Sequence, residues 1–196
     1  DRTYNSVGQY TDASGAIKFY NNEIDNYNQN HFQLLWNQKY ATNWQSNVAL
    51  HYTIGKGYFE QYKEDASFAD YNLPDFMGLT TTDLVRKRWL DNDFFGATYS
   101  INYNTNKTDI MIGGAANRYL GKHFGEVIWT QYYVPSRNRY YDNYGNKDDV
   151  NVYTKASQQF GKLNIFADLQ YRVVFYKANS TKFDDVNDTF RFFNPK

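Results

Sequence analysis

Cysteine is absent from this 196-residue chain. That excludes a disulfide framework, a thiolate metal site and a cysteine nucleophile. No apolar run approaches the roughly 18 residues of a transmembrane helix, and mean hydropathy is −0.80. Neither sign of charge is in excess, with 21 Lys+Arg against 21 Asp+Glu, so net charge offers no argument for nucleic acid or anionic lipid as a partner. Proline numbers only 3. No charged n-region followed by an apolar h-region opens the chain, which reads as a mature chain or an excised piece. G-x-S-x-G, H-E-x-x-H, P-loop and G-x-G-x-x-G motifs are all missing. The expectation is therefore a non-enzyme without a cofactor, and hydropathy alone describes a soluble protein.

What is present argues otherwise. Aromatics make up 20% of the chain, with 20 Tyr and 15 Phe; tyrosine and tryptophan concentrate where one end of a side chain is apolar and the other wet. From Lys162 to Tyr176, alternate residues Leu163, Ile165, Ala167, Leu169, Tyr171, Val173 and Phe175 form one apolar face. The other face, Asn164, Phe166, Asp168, Gln170, Arg172, Val174 and Tyr176, is mostly polar. Soluble strands typically run about five or six residues, whereas a tilted strand crossing a bilayer needs about 9–11. Outer-membrane barrels pair an apolar outer face with a polar lumen, so their mean hydropathy looks soluble.

The same alternation recurs along the chain. His31–Tyr40 and Trp44–Tyr62 read as a hairpin about a minimal turn; Arg86–Asn104 and Thr108–Ala116 make a second; Val150–Phe160 precedes the Lys162 strand. Residues 1–30 read as loop and strand end. The period breaks over 63–85 and 117–149, which read as long outer loops, and Glu126–Val134 is expected to be a hairpin arm inside the second. A polar loop over Lys177–Asp188 and an apolar-alternating Thr189–Phe193 follow. The fold class expected is all-β: an antiparallel transmembrane β-barrel segment of about six to seven strands from a larger barrel, since open edges are not tolerated in lipid.

Long patterned blocks carry a resemblance. Ser14–Tyr20 with Glu23–Trp36, Trp44–Tyr62 (WQSNVALHYTIGKGYFEQY), Thr80–Gly96 (TTTDLVRKRWLDNDFFG) and Gly113–Gln131 (GGAANRYLGKHFGEVIWTQ) resemble the barrel region of TonB-dependent outer-membrane receptors of the Bacteroidetes type. The resemblance implies a closed barrel of about 22 strands with a plugged lumen, placed in the bilayer of the bacterial outer membrane and energised by the TonB system. It implies outer-membrane lipid and a small-molecule nutrient as partners, and no nucleic acid. Neither the plug domain nor the TonB-contacting segment is recognisable in these residues. The usual C-terminal strand ending in an aromatic is also missing, the chain stopping at Pro195-Lys196. An iron chelate is the leading nutrient, with glycan or cobalamin as alternatives. Outside the family, a soluble Tyr-rich carbohydrate-binding β-domain and an autonomous small barrel are the competing readings.

Ligand contact is expected from Trp129, Tyr132, Tyr133, Arg137, Arg139, Tyr140 and Tyr141 in the second long loop, with Tyr144 beside them. Aromatic and Arg side chains dominate binding hot spots, and Arg137 and Arg139 suit an anionic chelate. The competing reading is that these aromatics pack the loop on itself. His51 is expected to face the lumen, as a polar lining residue or as a further ligand contact. Asp184, Asp185 and Asp188 have carboxylate chemistry suited to calcium but lack the EF-hand spacing, and read as a solvated acidic loop.

Overall fold

The computed structural model describes residues 9–20, 25–132 and 138–195. Those residues are all-β apart from one 3-10 turn at Ala69–Tyr71. A short hairpin, β1 (Gln9–Thr11) with β2 (Ile17–Phe19), precedes a seven-stranded antiparallel sheet. Its strands are β3 (Asp25–Ala41), β4 (Trp44–Ser67), β5 (Thr81–Asn104), β6 (Thr108–Thr130), β7 (Asn138–Phe160), β8 (Leu163–Ser180) and β9 (Val186–Pro195). They pair as a simple meander in chain order, with β3 and β9 as open edges, so the sheet is not closed.

The tight turns β3–β4, β5–β6 and β7–β8 lie at one end of the sheet. At β5–β6 the Thr105 hydroxyl accepts from the Lys107 and Thr108 amides, and at β7–β8 Gly161 takes φ +61°, a conformation costly for a residue with a Cβ.

Register builds two unlike faces. One row of cross-strand partners runs Trp36–Val48–Tyr99–Gly114–Val152–Tyr171–Phe193 across all seven strands. The neighbouring row on that face runs Leu34–Leu50–Ala97–Ala116–Val150–Val173. These side chains are not core: Leu34 is 65% exposed and Phe193 65%. Just beyond the apolar band the same face turns charged, with Lys56–Asp91 at 2.8 Å and a two-pronged Arg118–Asp148 pair. The opposite face is polar, carrying His51, Asn117 and Asp149 in one row.

The buried core sits far from the tight turns, where Phe68, Tyr71, Leu73, Leu84, Val127 and Tyr140 cluster. It holds the 68–80 connection against the polar side of the sheet, with Asn72 Nδ2 donating to the Tyr140 carbonyl and Asn138 Nδ2 to that of Tyr71.

Four expectations about loops are corrected, the last being the polar loop Lys177–Asp188, where β8 continues to Ser180 and β9 already begins at Val186. The segment 63–85 is strand at both ends, since β4 runs to Ser67 and β5 begins at Thr81. Most of 117–149 is also strand, with β6 unbroken to Thr130 and β7 starting at Asn138. Glu126–Thr130 therefore continues β6, while Tyr133 and Val134 lie outside the described residues. Residues 1–30 contain β1, β2 and the start of β3. Register shifts at Lys63/Ala66, Val85/Arg86 and Gly125/Glu126 fall within or at the edge of 63–85 and 117–149, while 117–125 pairs with 141–149 without a shift and reads as loop because polar, charged and glycine residues fall on both faces. An inserted residue flips the alternation that sequence reading depends on.

Candidate functional site

Among the described residues, the predicted loop cluster does not converge on one point. Trp129 pairs with Val85 and lines a recess of about 800 Å³ with Tyr10, Lys18, Tyr20 and Tyr62, on the side of the sheet that carries the apolar band. Arg139 shares that side but is occupied: it reaches Asp142 at 2.8 Å and Glu126 at 3.5 Å, and lies 3.9 Å from the centre of the Phe124 ring. Tyr140 turns to the opposite side and is core, 5% exposed beside Tyr71. Tyr141 follows it, its hydroxyl accepting from Arg88 Nε at 3.3 Å. Tyr132 stacks on Phe76 at 5.8 Å, and Tyr144 faces the Lys122 ammonium at 5.1 Å. Tyr133 and Arg137 lie outside the described residues.

His51 stands on the polar face, its Nε2 2.8 Å from Asn117 Oδ1 and its ring 4.8 Å from that of Phe94. The partner between His51 and Asn117 is Gly96. A Cβ there would fall 2.3 Å from Asn117 Oδ1, so the bare glycine is what lets β4 and β6 side chains meet over β5.

This contact borders a second recess of about 550 Å³, which sequence reasoning did not identify. Its floor is the row His31–Thr53–Phe94–Tyr119–Lys147, with Gly55 and Asn92 in the next row. Tyr27 lies over Gly55, where an added Cβ would sit 2.1 Å from the Tyr27 hydroxyl. Tyr119 donates to Asn92 Oδ1 at 2.7 Å, and His31 Nδ1 meets the Thr53 hydroxyl at 2.9 Å. At the rim Asp149 is gripped by both prongs of Arg172, with Lys147 3.9 Å away. Asp185, from the acidic loop, accepts from Asn179 Nδ2 at 2.7 Å. Among the described residues no three His, Cys, Asp or Glu side chains are grouped to hold a metal ion.

One sequence signal for the recess existed: Phe94 is an aromatic at a polar-face position. Its neighbours come from β3, β4, β6 and β7, and only the register brings them together.

No protein-family model matches the chain, and no curated protein matches it.

Proposed function

We propose that the chain forms part of the wall of a TonB-dependent receptor in a bacterial outer membrane, where it contributes to capture and energised uptake of a scarce nutrient. The observation that carries this reading is the two-faced sheet. Its apolar face is continuous over seven strands and open to the surroundings. Trp44 to Ile54 on β4 and Phe95 to Tyr103 on β5 match the about 9–11 residues of a tilted membrane-spanning strand. A monomeric soluble protein rarely exposes apolar patches beyond a few hundred Å², and lipid is the medium that such a surface fits. Tight turns at one end and long, strand-rich extensions at the other are the asymmetry of outer-membrane barrels.

In this reading the protein binds and passes a ligand without covalent chemistry. The polar face lines the lumen, and the apolar face meets lipid. An iron chelate leads among the nutrients expected of such a receptor, and Arg139 is one of two arginines that suit an anionic ligand. Arg139 is committed to Glu126 and Asp142, so the proposal leaves iron as one nutrient among several.

The test is fractionation of the native gene product, with gels run before and after boiling. A membrane-bound protein several times heavier than 23.2 kDa, with heat-dependent mobility, is the expected result. A soluble protein of this chain's own mass would overturn the proposal and put a soluble carbohydrate-binding β-domain in its place.

A further inference from the structure

We infer that the polar-face recess between the Tyr27, Phe94 and Tyr119 rings is a subsite for an uncharged polyhydroxylated ligand, a pyranose unit of a neutral oligosaccharide. The inference rests on the receptor reading above and adds the ligand class to it.

Shape comes first. At about 550 Å³ the recess falls within the roughly 300–1,000 Å³ of small-molecule sites. Two rings in it remain open: Tyr27 is 43% exposed and Phe94 39%. An aromatic face carries negative π-density, which attracts the weakly positive C–H groups on one side of a pyranose while the ring area removes them from water. The glycine floor keeps the platform low, because any side chain at position 55 would displace the Tyr27 ring.

Polar chemistry comes second. The oxygens of Asn92 and Asn117 are occupied, the first by the Tyr119 hydroxyl and the second by His51. Both amides are thereby held in place, and among the described residues their nitrogens have no hydrogen-bond partner. Two pre-oriented neutral donors suit hydroxyl oxygens, and fixing them in advance lowers the ordering cost of binding.

Charge decides against an anionic chelate. Carboxylates, catecholates and phosphates are recognised by a free guanidinium fork. Here the guanidinium found at the rim among the described residues, Arg172, is spent on Asp149, and the nearby Lys147 ammonium is 3.9 Å from the same carboxylate.

The experiment uses the full receptor in detergent, titrated calorimetrically with maltohexaose, xylohexaose, mannohexaose and cellohexaose. A ferric catecholate chelate and cyanocobalamin are run alongside. Saturable binding of at least one neutral oligosaccharide is expected. Phe94→Ala and Asn117→Ala are each expected to weaken that binding by about tenfold or more, while Phe94→Tyr, which keeps the π-face, stays within about threefold. Heat-dependent gel mobility reports folding of each variant; should Phe94→Ala lose it, Phe94→Leu keeps bulk without the π-face and is expected to show the same loss. The inference is overturned if no oligosaccharide of the panel binds, if only the chelate or cobalamin saturates, or if binding ignores the folded variants. In those cases an outer-membrane location still upholds the receptor reading. A soluble protein that binds the sugar through Phe94 would sink the receptor reading and leave the subsite standing.

Discussion

At the scale of single residues, Tyr140 separates packing from hydrogen bonding. Its ring is 5% exposed in the core, and its hydroxyl has no partner among the described residues. Burial pushes its pKa up to about 12, so the phenol stays neutral throughout the physiological range. Tyr140→Phe is therefore expected to change stability by no more than ~1 kcal/mol, whereas Tyr140→Ala should cost ~3–4 kcal/mol through the cavity left behind. Denaturant unfolding followed by gel mobility distinguishes the two. Equal losses would show that the hydroxyl matters after all. Asp12, in the β1–β2 hairpin, is the complementary case of an exposed group held by its partners. The Lys18 ammonium first, then the Ser14 hydroxyl and the Ala16 amide, lower its pKa from 3.8 to about 2. A depressed carboxylate stabilises the folded form above the unfolded value and loses that contribution as pH falls through the folded one. The hairpin is thus expected to loosen between about pH 4 and pH 2, read as faster hydrogen exchange at its amides. Asp12→Asn should abolish the step in that window.

At the scale of elements, the two faces of one strand make opposite predictions. Leu169 lies on the apolar face of β8 and is 43% exposed, while the next residue, Gln170, points to the polar side beside Asn194. In a bilayer, Leu169→Arg is expected to cost ~2–4 kcal/mol, as arginine does on the lipid face near the midplane. Gln170→Arg should stay within about 0.5 kcal/mol, like most surface changes. Assembly yield and the temperature of the mobility shift measure both, and equal tolerance would argue that no lipid meets Leu169. The same elements show what was legible in the sequence. Where apolar residues alternate with polar ones, as from Leu163 to Phe175, alternation alone revealed strand and face, and it put His51 on the polar side; the end of β8 at Ser180, past the expected loop start at Lys177, was not legible. Beyond Lys63 and before Arg86 the bulges and the positive-φ Asp65 interrupt the period, and both faces turn polar, so strand read as loop. Arg139 read as a ligand contact because Glu126 becomes its neighbour only through the β6–β7 pairing, and Asp142, three residues on along β7, pairs with it across the bulge at Tyr140. The recess was hidden for the same reason: Tyr27, Thr53, Phe94 and Tyr119 meet by register alone. Gly96 follows that logic, since its carbonyl-crowded position leaves 2.4 Å between an added Cβ and the Ala116 oxygen. Gly96→Ala should break the His51–Asn117 contact and weaken binding of any ligand seated in the recess.

At the scale of the whole molecule, the unpaired edges and the apolar face set one requirement together. Along β3, from Asp25 to Ala41, every residue is exposed, and among the described residues the strand's outer backbone groups have no neighbouring strand to bond. An edge of that length in water is a template for pairing with another chain, and in hydrocarbon each unsatisfied backbone group costs several kcal/mol. A sheet with this apolar face cannot rest in either solvent as it stands. In the receptor reading, further strands of the same wall complete it. The 196-residue chain expressed by itself and refolded without detergent is then expected to self-associate, sedimenting well above 23.2 kDa. Detergent should disperse it by covering the apolar band, without closing the edges. Light scattering and sedimentation velocity in both media provide the check. A monomer in plain buffer with a cooperative thermal transition would mean that water tolerates this surface, and the lipid-facing assignment of the Trp36–Phe193 row would fall with it.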